Sequence, residues 1–121
     1  KKLNERLKIK ERDEKIMKDE DMEMICFQMI SLNGDAKSSY LEALQQAKLK
    51  NYERATELLK EGKKSFTEGH HFHAKLIQAE CGGNKVQMTL LLTHAEDQMM
   101  SVEVIKCFAE ELIELYQKID N

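Results

Sequence analysis

The sequence has no proline, no tryptophan and only five glycines among its 121 residues. Proline breaks helices by removing an N–H donor and clashing with the preceding turn. Without it, and with many Leu, Glu, Lys, Gln and Ala residues, the chain is predicted to be all-helical. No apolar run approaches the roughly 20 residues that span a bilayer, and no secretory leader is visible. The net charge is only −3, so no strong basic field argues for nucleic acid as a partner. The three cysteines, Cys26, Cys81 and Cys107, are odd in number and form no CxxC pair. They are expected to be reduced packing residues of a cytoplasmic protein.

What remains is a balanced composition, 41% hydrophobic and 34% charged. That suits a single domain with a real core. Residues 1–20 carry closely mixed charges and few apolar side chains, and are expected to form a charged extension, frayed or helical. Residues 21–121 are expected to form the domain.

Three long segments follow helical spacing. The first, from about Asp21 to Leu49, places Met22, Ile25, Met29, Leu32, Ala36, Tyr40, Ala43 and Ala47 on one face. Gly34 interrupts it at a cost of about 1 kcal/mol relative to alanine, which suggests a close approach or a kink. The second starts after Asn51, a candidate N-cap, and runs to about Cys81. Its seam is Ala55, Leu58, Leu59, Gly62, Phe66, Gly69, Phe72 and Leu76, and Gly82-Gly83-Asn84 should stop it. The third, capped by Thr89, runs to about Ile119 with a seam at Leu91, Ala95, Gln98, Val102, Ile105, Ala109, Leu112, Tyr116 and Ile119. A second seam on it reads Leu90, His94, Asp97, Ser101, Val104 and Phe108, apolar at its ends and polar in the middle. That pattern suggests a subunit interface. Short turns between long helices predict an antiparallel three-helix bundle.

Four histidines are present: His70, His71, His73 and His94. A neutral imidazole is a nucleophile near pH 7 and can accept and release a phosphoryl group. Most single helical histidines are surface or core residues without chemistry. His70 and His73 lie three apart and could share a metal, although no further ligands stand at fixed spacing. His94 and Asp97 are also three apart, near a helix N-terminus. The carboxylate can orient the imidazole and raise its basicity, and the helix end favours an incoming phosphate.

The stretch Leu90-Leu91-Leu92-Thr93-His94-Ala95-Glu96-Asp97-Gln98-Met99-Met100 resembles the signature of the lactose/cellobiose-type enzyme IIA family of the sugar phosphotransferase system. Ile30-Ser31-Leu32-Asn33-Gly34-Asp35-Ala36-Lys37-Ser38 is similar to its first-helix motif. Ala43-Leu44-Gln45-Gln46-Ala47-Lys48 with Asn51-Tyr52-Glu53-Arg54-Ala55 is similar to its first turn, and Glu80-Cys81-Gly82-Gly83 to the turn before its third helix. The resemblance spans about residues 22 to 119.

It implies a homotrimer of three-helix subunits, a nine-helix bundle. It implies that His94 accepts phosphate from the phosphocarrier protein HPr and passes it to a cysteine of a IIB component. The membrane would be met only through the IIC permease. It also implies that Asp97 of each subunit meets on the trimer axis, where a divalent cation, with magnesium the family expectation, offsets the repulsion. Ala95 leans toward the cellobiose or β-glucoside branch rather than the lactose branch.

Two positions depart from the family pattern. Gln98 stands where a histidine is frequent. Gly69-His70-His71-Phe72-His73-Ala74 stands where Ala-His-x-x-Gln-Thr is common, so His73 replaces a glutamine. Gln98, His70 and His73 are therefore candidate residues of the phosphate pocket. The alternative to a phosphoryl carrier is a non-catalytic regulatory interaction module of the same fold.

Overall fold

The computed structural model describes residues 1–7 and 19–120. Residues 2–7 are helical and exposed. Most of the expected charged extension over residues 1–20 lies outside the described residues.

Three helices follow in order: α1 (Asp19–Lys48), α2 (Tyr52–Cys81) and α3 (Leu90–Asp120). The all-α expectation holds, and the helix ends fall within two residues of those read from the sequence. Because α2 reverses direction between them, α1 and α3 run parallel. Helix α1 is central and packs along both others, whereas α2 and α3 touch each other much less.

Each end has a physical cause. Beyond α1, Lys50 takes a left-handed conformation with φ 64°, and its N–H donates to the Ala47 carbonyl at 2.9 Å. Asn51 occupies the N-cap position of α2, but its side chain makes no cap bond. It reaches back instead, donating from Nδ2 to Gln46 Oε1 at 3.0 Å, so the expected capping role gives way to a link across the turn. At the end of α2, Gly83 adopts φ 89°, and Asn84 N–H donates to the Ala79 carbonyl at 2.9 Å. The Gly82-Gly83 stop acts as predicted. Thr89 caps α3, accepting from Leu92 N–H at 3.1 Å.

The core of α1 is Met22, Cys26, Met29, Asn33, Ala36, Tyr40, Ala43 and Ala47. The expected Ile25 and Leu32 flank it, half-buried. On α2 the predicted seam is buried at Ala55, Leu58, Gly62, Phe66, Gly69 and Leu76. On α3 the predicted Ala95, Val102 and Ala109 are buried, and part of the seam is shifted by one residue. Leu92, Met99 and Ile113 are buried where Leu91, Gln98 and Leu112 were expected, and Ile119 is 71% exposed. Helix α3 is apolar on several faces, so spacing alone could not decide which face meets α1. Of the cysteines only Cys26 packs in the core; Cys81 and Cys107 are exposed, contrary to the packing role expected for all three.

Candidate functional site

His94 lies in the second turn of α3, on the side turned away from the core. Its neighbours Ala95 and Met99 are buried and anchor the turn against α1. Helical geometry then throws His94 and Asp97 outward on one shared face, and both are exposed. No ion pair joins them among the described residues. The orienting contact expected between imidazole and carboxylate is thus not made within one chain, because both side chains extend into solvent.

The face that bears them is polar from His94 to Ser101 and carries apolar side chains on either side. Leu90 is exposed at one end, and Val104, Phe108, Leu115 and Ile119 continue it toward the other. Phe108 alone leaves 63% of its surface uncovered. A row of large apolar side chains from Val104 to Ile119 marks a contact surface more than a solvent face. The second seam read from the sequence is therefore present and uncovered in the single subunit.

The other candidate residues make contacts of their own. His70 is exposed and packs its ring on Phe66, with centroids 4.8 Å apart. His73 is half-buried and places Nε2 3.6 Å from Glu96 Oε1, linking α2 to α3. His70 and His73 thus turn to different neighbours. Gln98 faces inward and donates from Nε2 to the Ile30 carbonyl of α1 at 3.4 Å. A surface cavity beside the α3 N-terminus is lined by Met22, Glu23, Cys26, Gln87, Thr89 and Leu91, and His94 is not among these residues. The Cys26 thiol there is pushed up from its ordinary pKa by burial, then by the nearby Glu96 and Glu23 carboxylates, so it is a poor nucleophile.

Among the described residues, no three His, Cys, Asp or Glu side chains stand close enough in one chain to hold a metal ion. Asp97 offers one carboxylate, whereas a hard divalent cation takes about six oxygen ligands. Its chemistry suits such an ion only if other copies and water complete the set.

Asn33 escaped the sequence reading. It is fully buried against Gly69 of α2, where a Cβ would come within 3.1 Å of its Oδ1. The pairing of a polar residue on the apolar face of α1 with a glycine on the seam of α2 was its only signal.

An all-helical chain with an exposed imidazole beside an uncovered apolar face offers a nucleophile next to a contact surface. The family described as the lactose/cellobiose-specific IIA subunit of the phosphotransferase system matches residues 24–117, and the chain belongs to that family. It is 43% identical over 100 residues to the lichenan-specific phosphotransferase enzyme IIA component of Bacillus subtilis, covering 83% of this chain and 91% of that one. It is 28% identical over 102 residues to the lactose-specific EIIA component of Staphylococcus aureus, covering 84% and 99%. Among solved structures, the cellobiose-specific enzyme IIA of Bacillus anthracis superposes with a TM-score of 0.78 at 40% identity, over 80% of this chain and 89% of that one. The IIA(chitobiose) component of Escherichia coli, determined in complex with HPr, gives 0.72 at 29% identity, over 82% and 96%. The greater likeness to lichenan and cellobiose components supports the β-glucoside lean. The chain is a phosphotransferase-system enzyme IIA component of the lactose/cellobiose type.

Proposed function

We propose that the protein carries a phosphoryl group on His94, between HPr and a IIB component, during uptake of a β-glucoside. The observation that carries this reading is the exposure of His94 beside Asp97 on the uncovered face of α3. A neutral imidazole nitrogen attacks phosphorus. A P–N bond forms on His94 as the donor's P–N bond breaks, and the reverse exchange later gives a P–S bond on the IIB cysteine. Such transfers need positioning more than covalent help from the protein. His94 stands a full turn inside α3, so the helix end assists only weakly.

Three copies of this chain would cover their apolar α3 faces by packing them together as a homotrimer, a nine-helix bundle. The Asp97 carboxylates would then converge, and a divalent cation such as magnesium would offset their repulsion. The described helices include none long and apolar enough to cross a membrane. From the family match we infer a cytoplasmic site of action, with membrane contact only through the IIC permease. Incubation with phosphoenolpyruvate, enzyme I and HPr should add one acid-labile phosphate per chain. A chain that stays unlabelled would instead be the regulatory interaction module.

A further inference from the structure

Two amide side chains break the usual rule for helical interiors. Neither Oδ1 nor Nδ2 of Asn33 has a hydrogen-bond partner among the described residues, and Oε1 of Gln98 is likewise buried and unpaired. Buried polar groups left in this state cost stability, and apolar side chains of the same shape would not. Both amides belong to one level of the bundle. Gln98 bonds the carbonyl of Ile30, and Asn33 follows Ile30 by less than one turn of α1. One turn of α1 thus touches α3 through Gln98 and α2 through the Asn33–Gly69 contact.

That level is also the level of His94 and Asp97. Gln98 directly follows Asp97 and stands one turn beyond His94. Tyr40, whose hydroxyl is also unpaired, lies about two turns further along α1, away from this site. Further still, the core is apolar, built from Ala43, Ala47, Ala55, Leu58 and Ile113. Violations of interior packing rules collect where function requires them.

We propose that Gln98 is a positioning residue for phosphoryl transfer, kept in the interior at a cost in stability because its amide fixes the reactive turn of α3 against α1. The proposal rests on the assignment of His94 as the phosphoryl carrier. Gln98 acts through the turn it anchors and not by touching phosphorus. The inward bond to Ile30 sets the rotation of α3 at this level, and with it the direction in which His94 meets a partner. Asn33, held against Gly69, keeps the same turn of α1 from sliding. The His73–Glu96 contact ties the turn to α2 from the other side.

The test uses the full chain with Gln98→Met and Gln98→His. Methionine keeps the length of the side chain and removes the amide, while histidine restores an N–H donor. Transfer from phosphorylated HPr is followed as label on the His94 peptide, alongside melting temperature, native mass and the imidazole NMR signals of His94. Gln98→Met should keep the native mass and melt at the parent temperature or above it. It should transfer roughly tenfold to a hundredfold more slowly, with shifted His94 signals, and Gln98→His should recover most of the rate. A parent-like rate with unshifted signals in Gln98→Met would overturn the proposal. So would a slower rate accompanied by a lower melting temperature or loss of fold, since structural support alone would explain it. If the parent chain takes no label on His94, the carrier assignment fails separately, and the imidazole signals of Gln98→Met alone decide whether Gln98 positions His94.

Discussion

The ring of Tyr40 lies directly over the backbone of Gly62, so close that a Cβ on Gly62 would stand 2.8 Å from Cε1. Helices α1 and α2 meet there with no side chain between them on the α2 side. Tyr40 is itself fully buried, so its ring has little room to yield.

Gly62→Ala should therefore destabilise the fold by about 1–3 kcal/mol through overpacking, despite the better helix propensity of alanine. Gly34 is the contrasting case. A Cβ there meets only Gln98 Nε2, at an ordinary 3.8 Å, so Gly34→Ala should be neutral or stabilising by up to about 1 kcal/mol within the subunit. Urea unfolding of the two variants checks both signs. Equal stability of Gly62→Ala and the parent would show that the contact is looser than described.

Alkaline pH should weaken the fold. Burial pushes the Tyr40 hydroxyl up to about 12 from an ordinary value near 10, with Glu110 and Cys107 adding to the effect. In the unfolded chain Tyr40 ionises near pH 10 while the folded chain still holds the proton. Its contribution is thus intact below pH 10 and declines as pH rises toward 12. Thermal melts from pH 8 to 11.5 should show this decline, and Tyr40→Phe should flatten it. An unchanged slope in Tyr40→Phe would assign the decline to other groups.

The sequence carried the helices plainly because nothing interrupted them. Leu58, Phe66 and Leu76 could be placed on the α2 seam from spacing alone, since the opposite face of α2 is charged. Helix α3 was harder. Leu91, Leu92, Leu112 and Ile113 are all apolar, and only packing chose Leu92 and Ile113 for the subunit core. The faces carrying Leu112 and Phe108 stay apolar and uncovered in the single chain. His94 and Asp97 were singled out through the motif around them. The burial of Asn33 was not legible, because it lies off the apolar positions that spacing picked out on α1, whereas Gln98 stood on the seam that spacing had already turned inward.

The uncovered face of α3 predicts self-association. Light scattering at micromolar concentration should give a mass near three chains. Phe108→Asp should lower it toward one chain, because it places a charge in the middle of the apolar row. Asp97→Leu should keep the trimer and lose divalent-cation binding, measured by calorimetry with magnesium. A parent chain that is monomeric in this range would count against the assembly. Dissociation of Asp97→Leu would show that the cation is required for it.

Phosphate transfer to His94 tests the central claim most directly. Parent chain and His94→Gln are incubated with labelled phosphoenolpyruvate, enzyme I and HPr, and bound phosphate is counted by intact mass and mapped by peptide analysis. The parent should gain one acid-labile phosphate on the peptide carrying His94, and His94→Gln should gain none while keeping its fold and native mass. Label that persists in His94→Gln, or that maps to His70, His71 or His73 in the parent, would contradict the account.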